Sequence, residues 1–242
     1  MENIPQRDLI KRRLTDIWDY EKVSAPFKRG GKYYYYKNEG LQNQSVFYSV
    51  EQLGGAEKII LDPNTFSEDG TIALSGIYFN GDGNLLGYAK SKGGSDWKEF
   101  YIHDLNTGED LKDHLEWIKF SGMSWAGDGF YYSRFPQPED GGELDDANEN
   151  TKVYYHKLGT LQEEDRLVYS DSENPRISNY ISTTDDENYL ILYRTKGTSG
   201  TALYMTHVSE GEHEFHPVID NYEYDHSISG NIGSTFYLHT NY

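Results

Sequence analysis

The stretch Phe120-Ser-Gly-Met-Ser-Trp-Ala-Gly-Asp-Gly-Phe-Tyr-Tyr-Ser-Arg134 decides the fold. Met123 and Trp125 alternate with Ser124 as one face of a strand should, Gly127-Asp128-Gly129 is a tight turn, and Phe130, Tyr131 and Tyr132 carry the aromatic bulk that packs on a pleated surface. The expected unit is a hairpin. It recurs upstream as Ala73-Leu-Ser-Gly-Ile-Tyr-Phe-Asn-Gly-Asp-Gly-Asn-Leu-Leu-Gly-Tyr-Ala89 and downstream as Ile181-Ser-Thr-Thr-Asp-Asp-Glu-Asn-Tyr-Leu-Ile-Leu-Tyr193. The turn aspartates Asp82, Asp128 and Asp186 stand 46 and 58 residues apart. A repeat of roughly 40 to 50 residues filled with short strands is the signature of a β-propeller blade.

Working outward, residues 1–23 form a lead-in. Leu9, Ile10, Leu14, Ile17 and Trp18 recur at helical spacing, so a short N-terminal helix is expected there, and its basic residues Arg7, Lys11, Arg12 and Arg13 read as a solvated face. Residues 24–242 are expected to be all-β, in blades of four-stranded antiparallel sheet over about 24–70, 71–119, 120–176 and 177–221. Residues 222–242 supply the hairpin of an incomplete fifth, Asp225-His-Ser-Ile-Ser-Gly-Asn-Ile-Gly-Ser-Thr-Phe-Tyr-Leu-His239. About four and a half blades do not close a ring whose blades cover one another's faces, so the chain reads as a partial propeller, a fragment cut at both ends. The acidic run Glu139 to Glu149 is expected to be a mobile, solvated loop.

Composition bounds the function. Tyr, Phe and Trp number 22, 10 and 4, enough for a core built on aromatics. The formal charge of −18, with 22 Lys and Arg against 40 Asp and Glu, argues against a nucleic-acid partner, since phosphate binding needs clustered cations. With no cysteine, neither a disulfide frame nor a thiolate metal site is possible. No run approaches the roughly 18 apolar residues of a membrane span, and no apolar segment follows the basic N-terminus as a signal peptide requires. A cytoplasmic setting without a membrane partner is therefore expected, with a periplasmic or secreted parent left open.

Several motifs imitate chemistry. A nucleophile elbow places Gly-x-Ser-x-Gly on a strand-to-helix turn, but Gly122-Met-Ser124-Trp-Ala126 and Gly197-Thr-Ser199-Gly200 lie in or beside repeat strands with no helix following. His213-Glu-Phe-His216 spaces its histidines at i and i+3 in a loop or strand, unlike the i and i+4 of a helical zinc motif. Asp82, Asp128 and Asp185-Asp186 are better read as turn residues than as calcium ligands. No metal or other cofactor is expected, and no catalytic residue.

A specific resemblance is carried by Gly40-Leu-Gln-Asn-Gln-Ser-Val-Phe-Tyr48, Leu61-Asp-Pro-Asn64, Ser67-Glu-Asp-Gly-Thr71, Gly94-Ser-Asp-Trp97, Lys119-Phe-Ser121 and Tyr154-Tyr-His-Lys-Leu-Gly159, with Arg13-Leu-Thr-Asp-Ile-Trp-Asp-Tyr20 before them. In this order they resemble the propeller domain of the prolyl oligopeptidase family from about Ile4 to Tyr242, most weakly over 141–151 and 170–216. The resemblance implies part of a seven-bladed propeller that caps an α/β-hydrolase domain, in a serine peptidase that cleaves short peptides after proline. The catalytic Ser, Asp and His would belong to that hydrolase domain, the implied partner of this chain along with short proline-containing peptides. By the same resemblance Phe120 lines the substrate side of the propeller face and Asp96 lies on that face; for Asp96 the alternatives are a turn cap or a pairing with a residue of the hydrolase domain, and Trp97 packs beside it. Phe120 as plain inner-strand core is the alternative. The chain departs from the family at Ser75, where an Arg is frequent, at Ser178, where a Met is, and at Thr198, where animal enzymes carry a Cys. A non-catalytic propeller that binds peptide or protein is the alternative function.

Overall fold

A computed structural model describes residues 5–138, 148–209 and 213–242. A helix, α1 (Arg7–Trp18), is followed by β1 (Lys22–Val23), β2 (Phe27–Arg29), β3 (Lys32–Asn38), β4 (Val46–Val50) and β5 (Lys58–Leu61). Three four-stranded sheets come next. They are β6 (Ile72–Phe79), β7 (Leu85–Lys92), β8 (Lys98–Asp104) and β9 (Glu109–Ile118), then β10 (Ser124–Ala126), β11 (Gly129–Arg134), β12 (Lys152–Lys157) and β13 (Arg166–Tyr169), then β14 (Ile177–Thr183), β15 (Tyr189–Lys196), β16 (Thr201–His207) and β17 (His216–Ile219). The hairpin β18 (His226–Ile232) and β19 (Thr235–Thr240) closes the order. In each four-stranded sheet the spatial order equals the chain order, which is the up-and-down meander of a propeller blade.

The first sheet holds five strands. β1 pairs with β3 through Lys22↔Asn38 and Val23↔Lys37, at the end of the stretch expected to be helical. A two-residue strand carries no periodicity, so nothing in the sequence announces it. The chain separates into two compact units, residues 1–74 with 92–94 and residues 75–91 with 95–242. The first unit owes its core to the tyrosine run. Tyr34 and Phe47 are buried and stack at 5.7 Å, and Phe27 lies 5.9 Å from Tyr34. Tyr35 donates from its hydroxyl to Glu57 Oε1 at 2.6 Å, and burial together with that carboxylate pushes its pKa up to about 12.

In the second unit the deciding hairpin forms, with Trp125↔Phe130 and Ala126↔Gly129 in register around the Gly127-Asp128-Gly129 turn. Its first strand is three residues long, so Phe120 lies outside it. Met123 and Trp125 are buried while Ser124 is half-buried. They join Phe100, Ile102, Leu115, Ile118, Phe130 and Tyr132 in one apolar core across two successive sheets. Gly87 makes that closeness possible, because a Cβ there would stand 2.1 Å from Met123 Sδ. Polar bonds tie blade to blade at the inner strands: Trp125 Nε1 donates to Tyr78 O at 3.0 Å, Thr183 Oγ1 to Trp125 O at 3.2 Å, and Ser124 Oγ to Ile181 O at 3.3 Å.

The strongest tie is charged. His156 in β12 sets Nδ1 2.7 Å from Asp165 Oδ1 and Nε2 3.0 Å from Asp113 Oδ1, with all three side chains buried. Carboxylate oxygens only accept, so both ring nitrogens must donate and the ring is an imidazolium. Burial by itself would depress its pKa; the two hydrogen-bonded carboxylates outweigh burial and push it up to about 9. The carboxylates also accept from Tyr132 Oη, 2.6 Å from Asp165 Oδ2, and from Gly159 N, 2.6 Å from Asp113 Oδ1. Asp113 lies on β9, so the cluster clasps the outer strand of one blade to the next.

Candidate functional site

The strands of the second unit have two unlike ends. At one end lie the inner-strand turns that carry Asp82, Asp128 and Asp186; at the other lie the blade-to-blade connections and the β15–β16 hairpin. The chain bends between β9 and β10 around two aromatic residues in the left-handed region, Trp117 at φ 62° next to the last residue of β9 and Phe120 at φ 56° in the connection itself. Non-glycine residues, bulky ones above all, rarely adopt this conformation. It is held by Phe135 N donating to Trp117 O at 3.1 Å and Ser133 N donating to Ser121 Oγ at 2.9 Å.

This bend leaves Phe120 52% exposed on a cleft of about 520 Å³. Asn148, Arg176, Ser178, Tyr180 and the hairpin residues Thr195 and Gly197–Thr201 line the rest, with Asp225. Ser178 is the second residue of β14, which fixes it at this end of the strand. The hairpin is secured by Asp225 Oδ1, which accepts from Gly200 N at 2.7 Å. Gly200 has φ 83° and a Cβ there would meet Tyr222 O at 2.3 Å, so only glycine fits. Phe120 is therefore not inner-strand core, and Ser178 and Thr198 share its cleft. Ser75 is absent from that lining and sits in β6.

A neighbouring cleft of about 260 Å³ is lined by Trp97, Phe135, Pro136, Gln137, Pro138 and Asn148–Asn150. Trp97 meets Trp117 and Phe135 edge-on, at 5.8 and 6.2 Å between ring centroids. The Lys119 ammonium stands 4.3 Å from the Trp97 ring and donates to Asn148 Oδ1 at 3.0 Å. Asp96 is exposed beside Trp97, with no hydrogen-bond or ion-pair partner among the described residues. Asn148 borders both clefts, so Phe120 and Trp97 flank one ridge.

Four ridge residues to which the sequence assigns no site role are Lys119, Asn148, Glu149 and Arg176. Arg176 Nε donates to Glu149 Oε1 at 3.0 Å, and Asn150 N donates to Pro175 O at 2.7 Å. Asn148 and Glu149 end the acidic run expected to be free in solvent. Both are bonded here because the chain must turn into β12 at that point; residues 139–147 of the run lie outside the described residues.

The imitative motifs are occupied structurally. Ser124 begins a strand that turns into another strand, and Ser199 lies in the β15–β16 hairpin turn. His213 Nε2 lies 3.1 Å from Tyr131 Oη, and His216 begins β17. Asp128 accepts from Tyr155 Oη at 2.8 Å and pairs with Lys157 at 2.9 Å. Asp186 accepts from Thr184 Oγ1 at 2.6 Å and Asn231 Nδ2 at 2.9 Å, and these bonds hold its carboxyl well below the usual range. Glu99, His114 and Glu116 bring ligand-type atoms within 4.8 Å of one another on an exposed sheet face, where Glu99 already accepts from Tyr101 and His114. Among the described residues no helix is long and apolar enough to cross a membrane.

The family model for the N-terminal β-propeller domain of prolyl oligopeptidase matches residues 1–242. A prolyl endopeptidase of Elizabethkingia miricola is 42% identical over 99% of this chain and 34% of its own length, and prolyl oligopeptidase A of Galerina marginata is 33% identical over 100% and 37%. The chain thus spans about a third of the length of these relatives. Among solved structures, prolyl oligopeptidase B from Galerina marginata bound to a 35mer hydrolysis and macrocyclization substrate superposes with a TM-score of 0.88 at 29% identity, covering 99% of this chain and 36% of that one. The apo protein gives 0.81 at 30% identity over 98% and 36%. With the family model matching the whole chain, a relative 42% identical over 99% of it and a solved structure superposing over as much, the chain belongs to the prolyl oligopeptidase family, as its N-terminal β-propeller domain.

Proposed function

We propose that this chain is the substrate-access portion of a serine peptidase that cleaves short peptides after proline, with the bond-breaking Ser, His and Asp supplied by an α/β-hydrolase domain. Phe120 is the aromatic wall against which the peptide lies, Asp96 faces the hydrolase domain, and Trp97 supports the ridge between them. The observation that carries this reading is the exposure of Phe120 in a left-handed backbone conformation on the same cleft as Ser178 and Thr198. Strain held at an exposed aromatic is costly without a use for the ring, and a flat apolar wall gives a peptide contact area at small entropy cost. The same proposal sets the peptidase in the cytoplasm, to be tested by fractionation, and gives it no nucleic-acid partner, in keeping with the charge of −18.

Two experiments test it. The isolated 242-residue chain is expected to hydrolyse no Gly-Pro-linked chromogenic peptide; turnover abolished by a serine-reactive inhibitor would contradict that. In the peptidase that contains the chain, a photo-reactive phenylalanine analogue at position 120 is expected to cross-link a proline-containing peptide. Cross-linking from position 128, at the other strand end, in place of position 120 would overturn the assignment.

A further inference from the structure

We infer that Lys119 is a positioning residue, whose ammonium locks the β9–β10 connection so that the Phe120 ring projects into the cleft; this rests on the reading of Phe120 given above. Ile118 and Met123 anchor the connection in the apolar core at either side. Between them the chain places adjacent side chains in opposite surroundings: Lys119 is only 8% exposed, while Phe120 is 52% exposed. Lysine is almost never buried without a partner, because its charge gives up water. Here the compensation is local and specific. The ammonium sits 4.3 Å from the Trp97 ring and 3.0 Å from Asn148 Oδ1. A cation against an indole face gains more as it loses solvent, and Trp97 is itself fixed edge-on by Trp117 and Phe135.

The consequence follows from backbone geometry. Phe120 at φ 56° would relax to negative φ if the preceding residue were free to turn, and its ring would leave the cleft. Lys119 cannot turn without pulling its charge from both Trp97 and Asn148. The aromatic that meets the substrate is thus held by its neighbour's charge, and Asn148 connects the second cleft to the first.

The test compares Phe120→Ala, Lys119→Met, Lys119→Arg and Asn148→Ala in the peptidase that contains this chain, with a chromogenic Gly-Pro-linked peptide. Phe120→Ala and Lys119→Met are expected to raise KM by about tenfold with kcat within about twofold, as loss of uniform binding does. Lys119→Arg, which keeps the cation over the indole, is expected to restore KM to within about threefold of the parent. Asn148→Ala, an exposed substitution, is expected to raise KM by about threefold, and it decides the matter if Lys119→Met does not fold. If Phe120→Ala leaves KM unchanged, the reading of Phe120 itself has failed. If Phe120→Ala raises KM while neither Lys119→Met nor Asn148→Ala does, or if Lys119→Met lowers kcat and thermal stability without a change in KM, the positioning role is overturned.

Discussion

The two ends of the strands in the second unit are built on opposite terms. At the turn end, polar groups are locked: Asp128 holds Tyr155 and Lys157, Asp186 holds Thr184 and Asn231, and the nearby His156 is an imidazolium between two buried carboxylates. At the cleft end, two aromatics occupy the left-handed region, Phe120 projects outward, and the hydroxyls of Ser133 and Thr151 are buried without a hydrogen-bond partner among the described residues. Satisfied networks rigidify a fold, whereas strained and unpaired groups gather where a molecule has work to do. Binding belongs at the end that is less well satisfied.

The largest effect expected lies at the turn end. His156→Gln leaves Asp113 and Asp165 buried without their cation, and should cost about 3–5 kcal/mol of unfolding free energy, measured by denaturant titration. A loss below about 1 kcal/mol would dissolve the contrast between the ends. Next comes its pH dependence. The folded pKa of His156, about 9, lies above the ordinary histidine value, so the folded state binds the proton more tightly than the unfolded chain does. The stabilisation, roughly 3 kcal/mol from a shift of that size, is complete below about pH 6.5 and is lost as pH rises through about 9. The unfolding midpoint of the parent should fall over that window, and that of His156→Gln should not share this component. Smaller is Thr183→Val, which removes the bond to Trp125 O and should cost about 1 kcal/mol. Arg176→Gln sharpens the comparison from the cleft side. Its side chain is 87% exposed, so stability should change by no more than about 0.5 kcal/mol in the same titration.

What could be read from the sequence follows the same division. Gly127-Asp128-Gly129 and its counterparts announce inner-strand hairpins because turn chemistry is local, and the spacing of the turn aspartates carries the blade repeat. The His156 clasp is not local: Asp113 stands 43 residues upstream on another blade, and a histidine within a Tyr-Tyr-His-Lys run shows nothing of the two carboxylates awaiting it. At the cleft, Phe120, Asp96 and Trp97 stood out through family resemblance. The left-handed φ at Phe120 has no sequence mark, since that conformation is imposed by what Lys119 and Met123 bury. Asn148 and Glu149 were hidden in an acidic run whose composition speaks only of solvation.

The most direct test sets one substitution at each end against the other in the peptidase that contains this chain. Phe120→Ala is expected to raise KM for a Gly-Pro-linked peptide by about tenfold with kcat nearly unchanged, and Asp128→Asn to leave KM within about twofold of the parent. Equal shifts at both ends, or a shift from Asp128→Asn alone, would contradict the assignment of the Phe120 cleft as the substrate-facing end.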